Sequence, residues 1–218
     1  MSELVPARYL FRFELSLHRL RRPVTIDGDL ADWPDAYRLP PLHRLEGKLT
    51  FADLWAGWND EGLYLACRVR GKTRPPRCEP EKFWKSDHLR LMTDMRDARD
   101  IRRATRFCQH FYFMPTGGGR DRRQSVAGTH RIQRATTHAP LVAGDRLAVA
   151  AELLEDGYAL EAHIPATALA GFNPAEQGRI GLCTVVEDQE HGQQSLTVGD
   201  DLNWYYDPST WATAVLVN

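Results

Sequence analysis

Short runs in which apolar and polar residues alternate one by one, broken by Gly, Pro, Asn and Asp, confine this chain to sheets. F-R-F-E-L-S-L near the N-terminus sets Phe11, Phe13, Leu15 and Leu17 on one side and Arg12, Glu14 and Ser16 on the other. Successive side chains of a strand face opposite ways, so such a run is a half-buried strand. L-T-F-A-D-L-W-A-G-W, the turn N-D-E-G and L-Y-L-A-C-R-V read as a hairpin. A second hairpin follows in R-L-A-V-A-A-E-L-L, E-D-G and Y-A-L-E-A-H-I-P, ended by Pro165, which cannot donate to a ladder. P-A-T-A-L is one helical turn, and R-I-G-L-C-T-V-V-E-D and W-A-T-A-V-L-V are further strands. Roughly nine or ten short strands with almost no helix mean an all-β antiparallel sandwich or barrel. Residues 1–22 read as an N-terminal strand or arm packed on a single domain spanning residues 23–218.

The stretch F-W-K-S-D-H-L-R-L-M-T-D, residues 83–94, carries the most functional information. Leu89, Leu91 and Thr93 fall on one face, and His88, Arg90, Met92 and Asp94 on the other. That polar face lies beside a loop tryptophan, Trp84. F-C-Q-H-F-Y-F-M alternates in turn, with Phe107, Phe111 and Phe113 opposite Cys108, His110, Tyr112 and Met114. If the two strands pair, as sequential strands often do, Arg90, His110 and Tyr112 share one surface. T-G-G-G-R, residues 116–120, suggests a phosphate cradle, but such loops precede a helix, and D-R-R-Q-S-V-A-G does not read as one. A hairpin tip is the expectation.

Charge is segregated along the chain. Residues 85–134 carry 12 Lys/Arg against 5 Asp/Glu, and residues 135–218 carry 2 against 12. The two regions neutralise each other across a folded domain, or the basic one meets an acidic partner. No DNA-binding motif accompanies the charge, so nucleic acid is not expected. No run nears the roughly 18 apolar residues of a membrane helix. The N-terminus lacks a basic patch followed by an apolar block, and none of Cys67, Cys78, Cys108 and Cys183 forms a C-x-x-C pair. A reduced, cytoplasmic protein without zinc is the expectation. In V-T-I-D-G-D-L-A-D-W, Asp27, Asp29 and Asp32 are either calcium ligands or caps on backbone N–H groups, and Trp33 is a core plug.

Taken in order, I-D-G-D-L-A-D-W, W-N-D-E-G-L-Y-L-A-C-R-V, W-K-S-D-H-L-R-L-M-T-D, G-Y-A-L-E-A-H-I-P, R-I-G-L-C-T-V-V-E-D and W-A-T-A-V-L-V resemble the segments of carbohydrate-binding module family 9, within the wider DOMON-like sandwiches. The resemblance covers residues 24–217. It implies a non-catalytic domain that holds a sugar between two tryptophans, here Trp84 and Trp204. Polar contacts would come from Arg90, His110, Asp201 and Asn203. One departure matters: the family's strand carries a glutamate where this chain has Arg90, and arginine cannot accept a hydroxyl proton. Either the ligand differs, an acidic sugar for example, or the chain keeps the fold as an interaction scaffold. Haem is a further alternative implied by related sandwiches, with Met92 and His110 as axial ligands. No nucleophile, zincin or dinucleotide motif is present. Glu152, Glu161 and Glu187 could form a carboxylate pair for glycoside hydrolysis only at a separation that sequence does not give.

Overall fold

The computed structural model describes residues 12–22, 24–196 and 202–218. Phe11 and Asp201 therefore lie outside the described residues.

The chain forms two packed sheets. The small sheet runs β2 (Ala52–Asn59), β3 (Gly62–Val69), β8 (Gly157–Pro165) and β7 (Ala148–Leu154), all antiparallel. The large sheet runs β1 (Glu14–His18), β11 (Ala212–Val217), β9 (Arg179–Asp188), β4 (His88–Asp94), β5 (Cys108–Gly118) and β6 (Gln124–His130). A short β10 (Gly192–Ser195) pairs with the C-terminal end of β9. The N-terminal strand is part of the sandwich: β1 pairs with β11, the one parallel pair among the described strands. The only helical segments among the described residues are 3₁₀ turns, one of them Ala166–Ala168, where P-A-T-A-L predicts a turn. No helix there is long and apolar enough to cross a membrane.

The alternation seen in sequence sets the layers. Leu89 and Leu91 of β4 and Phe111 and Phe113 of β5 are buried in one cluster with Leu54, Leu63, Leu65, Cys67, Leu160 and Ile164 of the small sheet. Each fully buried Leu or Phe contributes on the order of 1.5–3 kcal/mol. The strands β6 and β10 escape the sequence reading for a physical reason. Q-S-V-A-G-T-H is an edge strand with little apolar content, and G-Q-Q-S has none.

The loop before β2 covers the outer face of the small sheet, where Trp33 is buried against Trp55 and Tyr64. Its aspartates take up backbone N–H groups, the second of the two roles read from the sequence. Asp27 accepts from Asp29 N at 2.9 Å, Asp29 from Ala31 N at 3.1 Å and Asp32 from Thr25 N at 3.2 Å. They cap turns. Among the described residues no group of three His, Cys, Asp or Glu side chains is placed to hold a metal ion. Glu161 does not face solvent. It is fully buried and accepts from Gly28 N (2.7 Å), Trp33 Nε1 (2.7 Å) and Asp27 N (3.1 Å). All four cysteines are free thiols.

Candidate functional site

Two devices hold the start of β4 and the turn before it. In the first, Lys72 Nζ lies 2.6 Å from Asp188 and 3.1 Å from Asp87, all three side chains buried. Asp87 also accepts from Arg77 N (2.9 Å) and Gln189 N (2.6 Å), and Asp188 from Glu190 N and His191 N (both 2.9 Å). Burial works against the Lys72 ammonium, but its two carboxylate partners outweigh that and hold its pKa above the usual lysine value. In the second, Ser86 closes the 3₁₀ turn Pro80–Lys85: its N–H donates to Phe83 O at 3.0 Å, and its Oγ accepts from Glu79 N at 2.8 Å.

That turn carries two rings, one buried and one exposed. Phe83 is buried and stacks on Tyr112 of β5, with centroids 4.1 Å apart and planes within 9°. Trp84 stands edge-on to Phe83 and is 50% exposed. Tyr112 can lie flat because its neighbour across the ladder is Gly128 of β6. A Cβ at that position would fall 2.4 Å from the Tyr112 hydroxyl.

The outer faces of β4, β5 and β6 make a polar floor. Arg90 sits opposite Tyr112 in the ladder, Met92 opposite His110, and His110 opposite His130. The Arg90 guanidinium is held between two rings, 5.6 Å from the centroids of both Phe83 and Trp204. Its Nε–H donates to His88 Nε2 at 2.5 Å, and His88 Nδ1–H in turn donates to Ser86 O at 2.6 Å. This relay fixes the His88 tautomer and aims Arg90. Glu187 of β9 lies 3.8 Å from Arg90 Nη2. Burial, then the Arg90 charge, lowers the His88 pKa to about 3. The same two causes lower His110 and His130, with His130 and His88 adding to the effect at His110. His110 is 6% exposed, and its Nε2 has no hydrogen-bond partner among the described residues.

Above this floor opens a cleft of about 330 Å³ lined by Phe83, Trp84, Arg90, His110, His130, Arg131, Gln133 and Tyr205. Its lining holds two guanidinium groups, two imidazoles and no carboxylate. Trp84, Arg90 and His110 of the sequence-derived set thus meet at one place. Trp204 does not line the cleft. It is 3% exposed and packs with Met92, Cys183, Val185 and Trp211 on the outer face of the large sheet. Trp211 Nε1 donates to Trp204 O at 2.7 Å, so the two indoles brace each other as a lid on that apolar patch. The next residue, Tyr205, is 42% exposed and lines the cleft instead. Asn203 is exposed beside it and accepts from the Tyr205 hydroxyl at 3.5 Å.

Met92 and His110 are partners on adjacent strands of one sheet face, and Met92 is wholly buried in the cluster with Trp204. Two donors side by side on one sheet face do not face each other across an iron. Sequence reasoning missed Phe83, His130, Arg131, Gln133 and Tyr205. Two of the five were in reach, since Phe83 and Tyr205 adjoin the chosen tryptophans; His130, Arg131 and Gln133 lie in H-R-I-Q, which begins at the last residue of β6.

The class is now defined: an antiparallel two-sheet sandwich with an aromatic, cationic cleft on one outer face. The sequence matches no known family profile and no curated protein. Solved structures do match. A family 9 carbohydrate-binding module from Caldicellulosiruptor kristjanssonii in complex with cellotriose superposes with a TM-score of 0.64 at 16% identity, over 93% of each chain. A family 9 module from that organism in complex with glucose gives 0.60 at 17% identity, over 94% of this chain and 96% of that one. A candidate carbohydrate-binding protein from Bacteroides uniformis gives 0.54 at 10% identity, over 95% and 100%. The chain shares the fold of family 9 carbohydrate-binding modules over more than nine-tenths of its length.

Proposed function

We propose that this chain is a non-catalytic carbohydrate-binding domain that takes a sugar bearing an acid group into the cleft beside Trp84. The observation that carries the reading is the pairing of two exposed aromatic side chains, Trp84 and Tyr205, with a floor of Arg90, His110, His130 and Arg131 in one cleft. A pyranose offers apolar C–H faces to a ring and a polar rim to donors. Guanidinium groups donate and never accept, and they match a carboxylate in a bidentate fork. A floor of donors without a carboxylate in its lining therefore suits an acidic sugar better than a neutral one. Support for the carbohydrate class comes from the shared fold and from what those modules hold, cellotriose and glucose. Fold alone does not set a ligand, so the site has to carry the argument.

Calorimetric titration with glucuronate, galacturonate, glucose and cellotriose tests this directly. Binding of an acid sugar, abolished by Trp84→Ala and stronger than that of either neutral ligand, is the expected result. Heat from none of the four ligands would remove the proposal and leave an interaction domain built on the same fold.

A further inference from the structure

The arginine-rich tip between β5 and β6 finds no use in the cleft, yet the fold brings it to the cleft's edge. Gly117, at φ +108°, lets the tip approach the turn that carries Trp84: a Cβ there would meet Pro80 at 3.2 Å and Cys78 at 3.3 Å. Arg122 reaches Glu81 at 4.0 Å. The tip and that turn therefore form one continuous surface beyond Trp84. On it Lys82, Lys85, Arg120, Arg122 and Arg123 are all exposed. The acidic groups of the same surface are Glu81, shared with Arg122, and Asp121, whose carboxylate accepts from Arg123 N at 3.2 Å. Glu79 is paired with Arg77 at 2.8 Å. Cations exceed anions there, five to two.

We propose that the ligand is a polymer: an acid-bearing glycan chain, carboxylated or sulfated, with one sugar in the cleft and the following sugars lying across the β5–β6 tip. This rests on the cleft reading and extends it. An exposed arginine on a hairpin tip contributes little to a folded domain. A row of such arginines adds attraction for each further negative charge on a chain already anchored in the cleft. Attraction of this kind is weakened by salt.

The test titrates the protein with galacturonate, a galacturonate hexamer and a sulfated oligosaccharide of equal length, at low and high salt. The variants are Trp84→Ala and the triple change Arg120→Ser, Arg122→Ser, Arg123→Ser. At low salt one of the two oligomers should bind about tenfold or more tighter than the single sugar. The triple variant should lose that advantage while binding the single sugar as before, and high salt should shrink it. The tighter oligomer names the acid group. Equal affinity for the single sugar and both oligomers overturns the inference and leaves the cleft reading intact. So does a length advantage that survives the triple change. Oligomer binding undiminished in Trp84→Ala would show a charge surface acting without the cleft, and would overturn the inference as well. Failure of the single sugar and of both oligomers to bind would bring down the cleft reading itself.

Discussion

At the scale of single residues, His88 shows how a buried neutral group serves the site. Its imidazole accepts from Arg90 Nε and donates to Ser86 O, which only the neutral ring can do. The folded chain holds the His88 pKa near 3, against an ordinary value of 6.5. Above pH 6.5 the ring is neutral in both folded and unfolded chains, and its contribution to stability is complete. As the pH falls from 6.5 toward 3, the unfolded chain takes up a proton that the folded one refuses. Stability then drops by about 1.4 kcal/mol per pH unit from this group. His88→Asn should lower stability at pH 7 by about 1–3 kcal/mol through loss of the relay. It should also flatten the decline between pH 6.5 and 5, a window in which ordinary carboxylates remain ionised. Urea denaturation of both proteins across that range is the measurement. An unchanged slope would mean that His88 does not titrate as its burial requires.

At the scale of elements, the site depends on how β6 lies against β5. Gly128 leaves room for Tyr112, Tyr112 supports Phe83, and Phe83 sets the direction of Trp84 and one side of the Arg90 slot. Gly128→Ala would push the Tyr112 ring out of its stack, because the new methyl group would sit 2.4 Å from the hydroxyl. Strand pairing can persist, so the expected outcome is a folded protein with ligand binding weakened about tenfold or more. Near-ultraviolet circular dichroism should report the changed aromatic environment. Wild-type affinity in Gly128→Ala would show that the stack does not place Trp84. This element also marks the limit of what the sequence shows. Strands with one apolar face, such as β4 and β5, announce themselves by alternation. β6 lies at the sheet edge, presents Gln124 and His130 to solvent, and has a glycine where a side chain would mark its register. The cleft residues it contributes were hidden with it. Trp204 misled for the opposite reason. A tryptophan in a polar loop reads as a ligand platform, and only its packing on Met92, Cys183 and Val185, the first of them far away in sequence, makes it a lid. Its neighbour Tyr205 took the exposed position.

At the scale of the molecule, the cleft stands on one sheet, but its anchor reaches across chain segments that are distant in sequence. Lys72 follows β3 of the small sheet, Asp87 precedes β4, and Asp188 ends β9. The ammonium ties these three points together beneath the turn that carries Trp84. Two carboxylates around one buried cation leave an excess of negative charge. Burial raises the Asp87 pKa and the Asp188 charge adds to that, while its bonds from Gln189 N and Arg77 N work the other way. Removing the cation would leave both carboxylates buried against each other with only backbone donors. Lys72→Met keeps the length of the stem and deletes the charge. It should cost about 3–5 kcal/mol, the usual price of breaking one side of a buried ion pair. Part of that loss should return at low pH, where one carboxylate can take the missing proton. Chemical denaturation of Lys72→Met and wild type at pH 7 and pH 5 would measure both effects. A loss below about 1 kcal/mol would show that the anchor is solvated, as surface pairs are. A full loss confined to stability, with ligand affinity unchanged in the folded fraction, would show that the cleft is built by β4, β5 and β6 alone.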